Sequence, residues 1–137
     1  MALIATLKLD GKEPGYNVLE CEYEFEQPID KNGKPCASPR GGLIKFKILA
    51  PSGSDTTFHE WMLNKTEVKQ GVFEFDITVG SEKSKKELIF EKAHCVKLYE
   101  YFNNQDTIQM YTKITLSAAI ISFGKKSAVY TNNELLA

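Results

Sequence analysis

The sequence predicts a mainly β fold: an antiparallel β-barrel of two packed sheets, with one short α-helix and one long extended loop. Three observations carry this. Apolar and polar residues alternate with a period of two along most of the chain. Turn residues separate the alternating runs. One segment alone repeats its apolar side chains at helical spacing. At 137 residues the chain has the size of a single domain, 1–137. Such a domain buries roughly two-thirds of the surface its unfolded chain exposes, enough for one core.

Residues 3–9 form the first expected strand, and Asp10-Gly11 the turn after it. The apolar opening Met1-Ala-Leu-Ile-Ala-Thr-Leu-Lys-Leu lacks a basic leading region and a small-residue cleavage site, and it breaks at Lys8. It therefore reads as a strand and not as a signal peptide. Glu13-Pro14-Gly15 lengthens the connection to the second strand, residues 16–26. There Leu19, Cys21, Tyr23 and Phe25 share one face, while Glu20, Glu22, Glu24 and Glu26 share the other. That pattern describes a half-buried strand with an acidic outer row.

Residues 43–49 set Ile44, Phe46 and Ile48 against Lys45 and Lys47. Residues 70–79 set Phe73, Phe75, Ile77 and Val79 against Glu74, Asp76 and Thr78. Two longer runs, 88–102 and 108–123, complete the barrel. The first changes phase near Ala93, as a bulge requires. The second groups Ile108, Met110, Ile114, Leu116, Ala118 and Ile120, opposite a row that stays polar until Ile121 and Phe123. Residues 54–64 stand apart. Ser54 and Asp55 are helix-capping types, and Phe58, Trp61 and Met62 recur at three- to four-residue spacing. A short helix here is expected to plug one side of the barrel.

Residues 27–42 hold Pro28, Pro35, Pro39, Gly33, Gly41 and Gly42 and show no alternation. Loops beyond about 12–15 residues without structure of their own are uncommon in compact domains and are functional or disordered. Prolines stiffen the backbone. An arm that docks on a neighbouring subunit is the favoured expectation, and a mobile surface loop is the other.

Charge and motif content narrow the function. Lys plus Arg (17) nearly cancels Asp plus Glu (18), leaving no net field to hold nucleic acid or an anionic membrane. Lys83-Ser-Lys-Lys86 and Lys125-Lys126 are too small to change that. No apolar run approaches the eighteen or so residues of a membrane span. Cys21, Cys36 and Cys95 are odd in number and far apart, a poor disulfide framework that fits synthesis in a reducing cytoplasm. Cys21 and Cys95 read as small core residues and Cys36 as an exposed loop thiol.

His59-Glu60 opens like a zinc-protease motif, but Leu63 stands where the second His belongs. His94 and Cys95 are neighbours on a strand and point to opposite faces. The cysteines lack the paired spacing of structural zinc sites. Phosphate-binding glycine loops, nucleophile elbows and paired-Cys redox motifs do not occur. Asn64-Lys-Thr66 matches a glycosylation acceptor by chance. The expectation is a non-enzymatic protein with no catalytic, cofactor-binding or metal residues.

The stretch Tyr16-Asn-Val-Leu-Glu-Cys-Glu-Tyr-Glu-Phe-Glu-Gln-Pro-Ile-Asp, then Gly33-Lys-Pro and Pro39-Arg-Gly-Gly, resembles the Hcp family (haemolysin-coregulated protein) in its Bacteroidetes-type branch. Glu60-Trp61-Met62-Leu63 and a long last strand ending near Phe123 match in order and spacing, so the resemblance covers almost the whole chain. Departures are the Glu13-Pro14-Gly15 insertion, Cys36 in the loop and a longer tail after Gly124.

The resemblance implies a fold similar to phage tail-tube proteins, and hexameric rings that stack into the inner tube of a type VI secretion system. A contractile sheath surrounds that tube, and a spike and effectors travel with it. It is assembled in the cytoplasm and expelled, without a signal peptide, to the exterior or a target cell. In the family the long loop packs between subunits and rings. That role is carried onto Gln27, Pro28, Asp30, Gly33, Lys34, Pro35, Pro39, Arg40, Gly41 and Gly42. The alternative is a monomeric β-barrel that binds a small apolar ligand, with an interior too large for its own side chains to fill.

Overall fold

A computed structural model describes residues 4–124 and 128–136. The elements run β1 (Ile4–Leu9), β2 (Tyr16–Tyr23), β3 (Leu43–Leu49), α1 (Thr57–Leu63), β4 (Lys69–Val79), β5 (Glu82–Phe102), β6 (Met110–Phe123), β7 (Ala128–Thr131) and α2 (Asn133–Leu136). The strands follow the order β3-β2-β1-β4-β5-β6-β7, and β3 also pairs with β6. That last, antiparallel pairing runs from Leu43 opposite Ser117 to Leu49 opposite Tyr111 and closes the first six strands into a barrel. β7 lies outside the closed ring, paired to the far end of β6. Neither β7 nor α2 was expected; both lie in the tail after Gly124. Leu3, Lys125 and Lys126 fall outside the described residues.

Alternation delivers the core. Ile44, Phe46 and Ile48 of β3 face inward with Leu7, Leu9, Phe73, Leu88, Phe90, Ile114 and Leu116. Phe46 and Phe73 meet edge to face at 5.0 Å, and Phe73 meets Phe90 at 5.7 Å. Phe58 and Trp61 of α1 close one end, Phe58 packing on Phe46 at 6.2 Å. Burying each large apolar side chain contributes about 1.5–3 kcal/mol. The Trp61 indole N–H donates to the Glu67 carbonyl at 3.1 Å, so its one polar atom is satisfied inside the plug.

The helix starts one residue past the expected cap. Thr56 is the N-cap and makes no side-chain cap bond. The Asp55 carboxylate accepts instead from the Thr57 N–H at 3.1 Å, the Thr57 hydroxyl at 2.7 Å and the Tyr16 hydroxyl at 2.8 Å. The Thr57 hydroxyl bond, ahead of the opposing effect of burial, holds that carboxyl below its ordinary value.

Three departures from strict alternation have physical causes. Between Val18 and Glu20 the β2–β3 register slips, with Leu19 as the extra residue. Val18 therefore turns inward although it falls on the acidic face of a simple alternation, and β2 stops at Tyr23, short of Glu26. On β5 both Phe90 and Ala93 are buried, with Lys92 between them at φ +52°. This is the bulge expected near Ala93. On β6 the inward set passes from Ala118 to Ile121, so Ile121 and not Ile120 is fully buried. The switch falls where β6 exchanges β3 for β7 as its neighbour.

Candidate functional site

The barrel has two unlike ends. Residues 24–42 leave it where β3 begins; α1 follows the opposite end of β3, and there the Ala50 N–H reaches the Met110 carbonyl at 3.3 Å. The arm, residues 27–42, is an ordered hairpin. Isolated bridges join Glu26 to Arg40 and Ile29 to Pro35. Glu26 and Arg40 exchange N–H···O bonds of 3.0 and 2.7 Å, and the Cys36 N–H donates to the Pro28 carbonyl at 2.9 Å. At the tip the Asp30 carboxylate accepts from the N–H groups of Asn32 at 2.8 Å and Lys34 at 3.1 Å. Gly33 sits at φ +83°, the conformation that such an Asp-x-Asn-Gly turn demands of its last residue.

The base of the arm is riveted to the barrel. Phe25 packs on Phe123 at 6.0 Å and on Tyr130 of β7 at 5.4 Å. The Tyr130 hydroxyl donates to the Gly41 carbonyl at 3.2 Å, and the Ala118 N–H donates to the Gly42 carbonyl at 2.8 Å. A Cβ on Gly41 would sit 2.5 Å from the Phe25 ring, and one on Gly42, at φ +96°, would meet the Ala118 oxygen at 3.0 Å. Only glycine fits at either position.

The ten residues assigned to the arm thus separate into two groups. Gly41 and Gly42 are partly or fully buried anchors. Gln27, Asp30, Gly33, Lys34, Pro35, Pro39 and Arg40 are exposed on the hairpin, with Pro28 half-buried among them. Sequence reasoning passed over Ile29, which is 64% exposed and is the one large apolar side chain in residues 27–42. A lone large apolar residue inside a polar, proline-rich loop is the signal that marks it.

At the plug end, the β5–β6 hairpin continues past the last β3 pair, Leu49 with Tyr111. Its inward face carries Glu100 and Thr112 at the barrel mouth, and Phe102 and Met110 beyond it. Glu100 holds this overhang to the plug. One carboxylate oxygen lies 2.8 Å from His59 Nε2 on α1, and the other accepts from the Thr112 hydroxyl at 3.0 Å. Phe102, Ile108 and Met110 remain 61%, 40% and 38% exposed. On the outward face Tyr101 stacks on Tyr111 at 5.3 Å, with the Lys47 ammonium 4.2 Å from the Tyr111 ring centre.

The groups with catalytic potential are otherwise engaged. His59 faces Glu100, and Glu60 accepts from the Thr56 hydroxyl. Burial pushes the Cys21 thiol up to about 12 and the Cys95 thiol up to about 11, so both stay protonated and unreactive. Cys36 is exposed, with its Sγ 3.4 Å from the Pro28 carbonyl. Among the described residues no three of His, Cys, Asp and Glu converge on a common point. Glu20 of the acidic row is bridged by Lys47 at 3.2 Å. Beside that pair, an open depression of about 1020 Å³ spreads over the outer faces of β2, β3, β6 and β5, lined by Glu22, Lys45, Lys97 and Lys113 among others.

A family model described as Hemolysin coregulated protein Hcp (TssD) matches residues 1–133. Among solved structures, Hcp1 from Flavobacterium johnsoniae is 30% identical, with a TM-score of 0.77 over 94% of this chain and 99% of that one. Hcp1 from Salmonella typhimurium is 12% identical, with a TM-score of 0.69 over 96% of this chain and 93% of its own. The secreted protein Hcp3 from Pseudomonas aeruginosa is 10% identical, with a TM-score of 0.62 over 96% and 97%. The latter two share the fold. No curated protein matches the chain in sequence.

Proposed function

This chain belongs to the Hcp (TssD) family of type VI secretion tube proteins, and on that premise we propose that it closes into hexameric rings that stack into the secretion tube. The family is one of structural, secreted tube subunits that self-assemble within the secretion system, not of enzymes. Sheath, spike and effector proteins are the partners this role entails. Assembly takes place in the cytoplasm, and delivery is to the exterior or a target cell. Among the described residues no helix is long and apolar enough to cross a membrane.

One observation supports this reading above the others. The arm is ordered by its own hydrogen bonds and anchored at its base, yet its apolar Ile29 stays 64% exposed. Order without burial describes a part completed by a second molecule. A ring is built from a heterologous contact, one face against a different face, repeated until it closes. Each such interface buries more than about 1,000 Å². In this role Gln27, Pro28, Asp30, Lys34, Pro35, Pro39 and Arg40 meet the neighbour, Gly33 shapes the tip, and Gly41 and Gly42 hold the arm's angle.

The small-ligand alternative needs empty space inside the barrel. Phe46, Phe73, Phe90, Phe58 and Trp61 fill that interior, each 3% exposed or less. Native mass measurement with electron microscopy tests the proposal: the mass of a hexamer and ring-shaped particles are expected. A monomer at high concentration overturns it.

A further inference from the structure

We propose that the overhanging end of the β5–β6 hairpin, through Phe102, Ile108 and Met110, is the seat for the arm of a second copy of this chain. The inference rests on the ring-and-tube reading and adds the acceptor that reading leaves open.

Position, apolar surface and charge all carry it. The arm leaves one end of the barrel, where β3 starts at Leu43; the overhang leaves the other, beyond Leu49 and Tyr111. A head-to-tail contact between copies stacked along the barrel axis brings these two ends together, and such heterologous contacts propagate into open filaments. The apolar surfaces match as well. Phe102 and Met110 are cross-strand partners, and Ile108 lies two residues before Met110 on the strand's approach. Phe102 and Met110 lie side by side on the face that, farther along the same strands, is barrel core, and Ile108 is exposed in the connecting loop just before Met110. Contiguous exposed apolar surface marks an interaction site, and Ile29 is the protruding apolar group on the arm.

The charges are complementary. Residues 27–42 carry Lys31, Lys34 and Arg40 against Asp30, a net positive arm. Residues 99–111 carry Glu100 and Asp106 and no Lys or Arg. Glu100 is already engaged by His59 and Thr112, so Asp106, in the loop between Phe102 and Ile108, is the carboxylate free to meet the arm's lysines. The seat is also rigid. The Glu100 bonds to α1 and β6 hold the overhang in place before any partner arrives, which lowers the ordering cost of docking.

The test is a disulfide trap in the full-length chain. Ile29→Cys and Phe102→Cys are combined in a Cys36→Ser background, with each single Cys variant as control. After mild oxidation, a non-reducing gel of the double variant is expected to show a ladder running past the hexamer, reversed by reductant and absent from both controls. A ladder that stops at the hexamer places the arm on a neighbour within its own ring and overturns the axial seat. Rings by microscopy without any cross-link overturn the seat while leaving the ring reading standing. Failure of the wild-type chain to form rings overturns both.

A second measurement is independent of cysteine chemistry. Phe102→Asp and Met110→Asp alter exposed side chains and are expected to keep the circular dichroism spectrum and ring formation of the wild type. Each is expected to raise the protein concentration needed for stacking by about tenfold, the loss of one good interface contact. Unchanged stacking in both overturns the proposal.

Discussion

The barrel and the arm are both antiparallel β structure from one chain, yet they are held by opposite means. In the barrel every strand from β1 to β6 is hydrogen-bonded on two sides for at least part of its length, and the inward side chains pack on one another. In the arm two isolated bridges and a turn supply the order, and nearly every side chain faces solvent. The barrel is finished by its own sequence; the arm is shaped by its sequence, and in the proposed assembly a partner completes it. A subunit that must stay folded alone and still assemble on demand separates the two tasks in this way.

The sharpest way to break the contrast is to empty the core. Trp61→Ala is expected to cost about 3–5 kcal/mol in chemical denaturation, because the cavity at the plug end cannot close. Assembly should fail along with folding, since the overhang is tied to the same helix through His59 and Glu100. Next in size is the junction between the two regions. Gly42→Ala places a Cβ against the Ala118 oxygen at a positive φ and should cost on the order of 1–3 kcal/mol. A substitution without effect on thermal unfolding would show that the arm's base is not held as described.

Deleting residues 31–38 should do the reverse. Unfolding free energy is expected to stay within about 0.5 kcal/mol of the wild type, as for exposed surface, while stacking is lost. Normal tube formation by the deletion would refute the arm's role. The smallest effect concerns acid. The Asp55 carboxyl is held below its ordinary value in the folded chain, chiefly by the Thr57 hydroxyl. A group with a depressed folded value binds its proton more readily when unfolded, so its contribution is complete above the ordinary carboxylate range. That contribution is lost as pH falls through the depressed value. Asp55→Asn is therefore expected to flatten the acid limb of the stability profile, read by thermal melts across acidic pH. An unchanged acid limb would remove Asp55 from the account of the plug.

Much of the barrel was legible because its evidence is local. Ile44, Phe46 and Ile48 alternate with lysines, and Phe58 and Trp61 recur at helical spacing; each pattern is written within a few residues. The phase change near Ala93 was visible for the same reason. Val18 was not, since its inward turn depends on a slip against β3, which lies some thirty residues farther along the chain. The exchange of Ile120 for Ile121 likewise depends on β6 changing neighbours. In the arm, prolines and glycines announced a stiff excursion. That Gly41 and Gly42 are anchors became visible only with Phe25, Tyr130 and Ala118 around them.

By itself the sequence determined which side chains prefer the interior, roughly where the six barrel strands run, that one helix interrupts them, and which family's loop motif the chain carries. Those properties follow from side-chain chemistry and spacing along a single backbone. The tertiary structure decided that β3 pairs with β6 to close the barrel, and that β7 clasps the base of the arm. It also decided that the arm and the apolar overhang stand at opposite ends. Pairing between distant segments is settled by which combination buries the core and satisfies every backbone hydrogen bond together, and no local pattern encodes that choice.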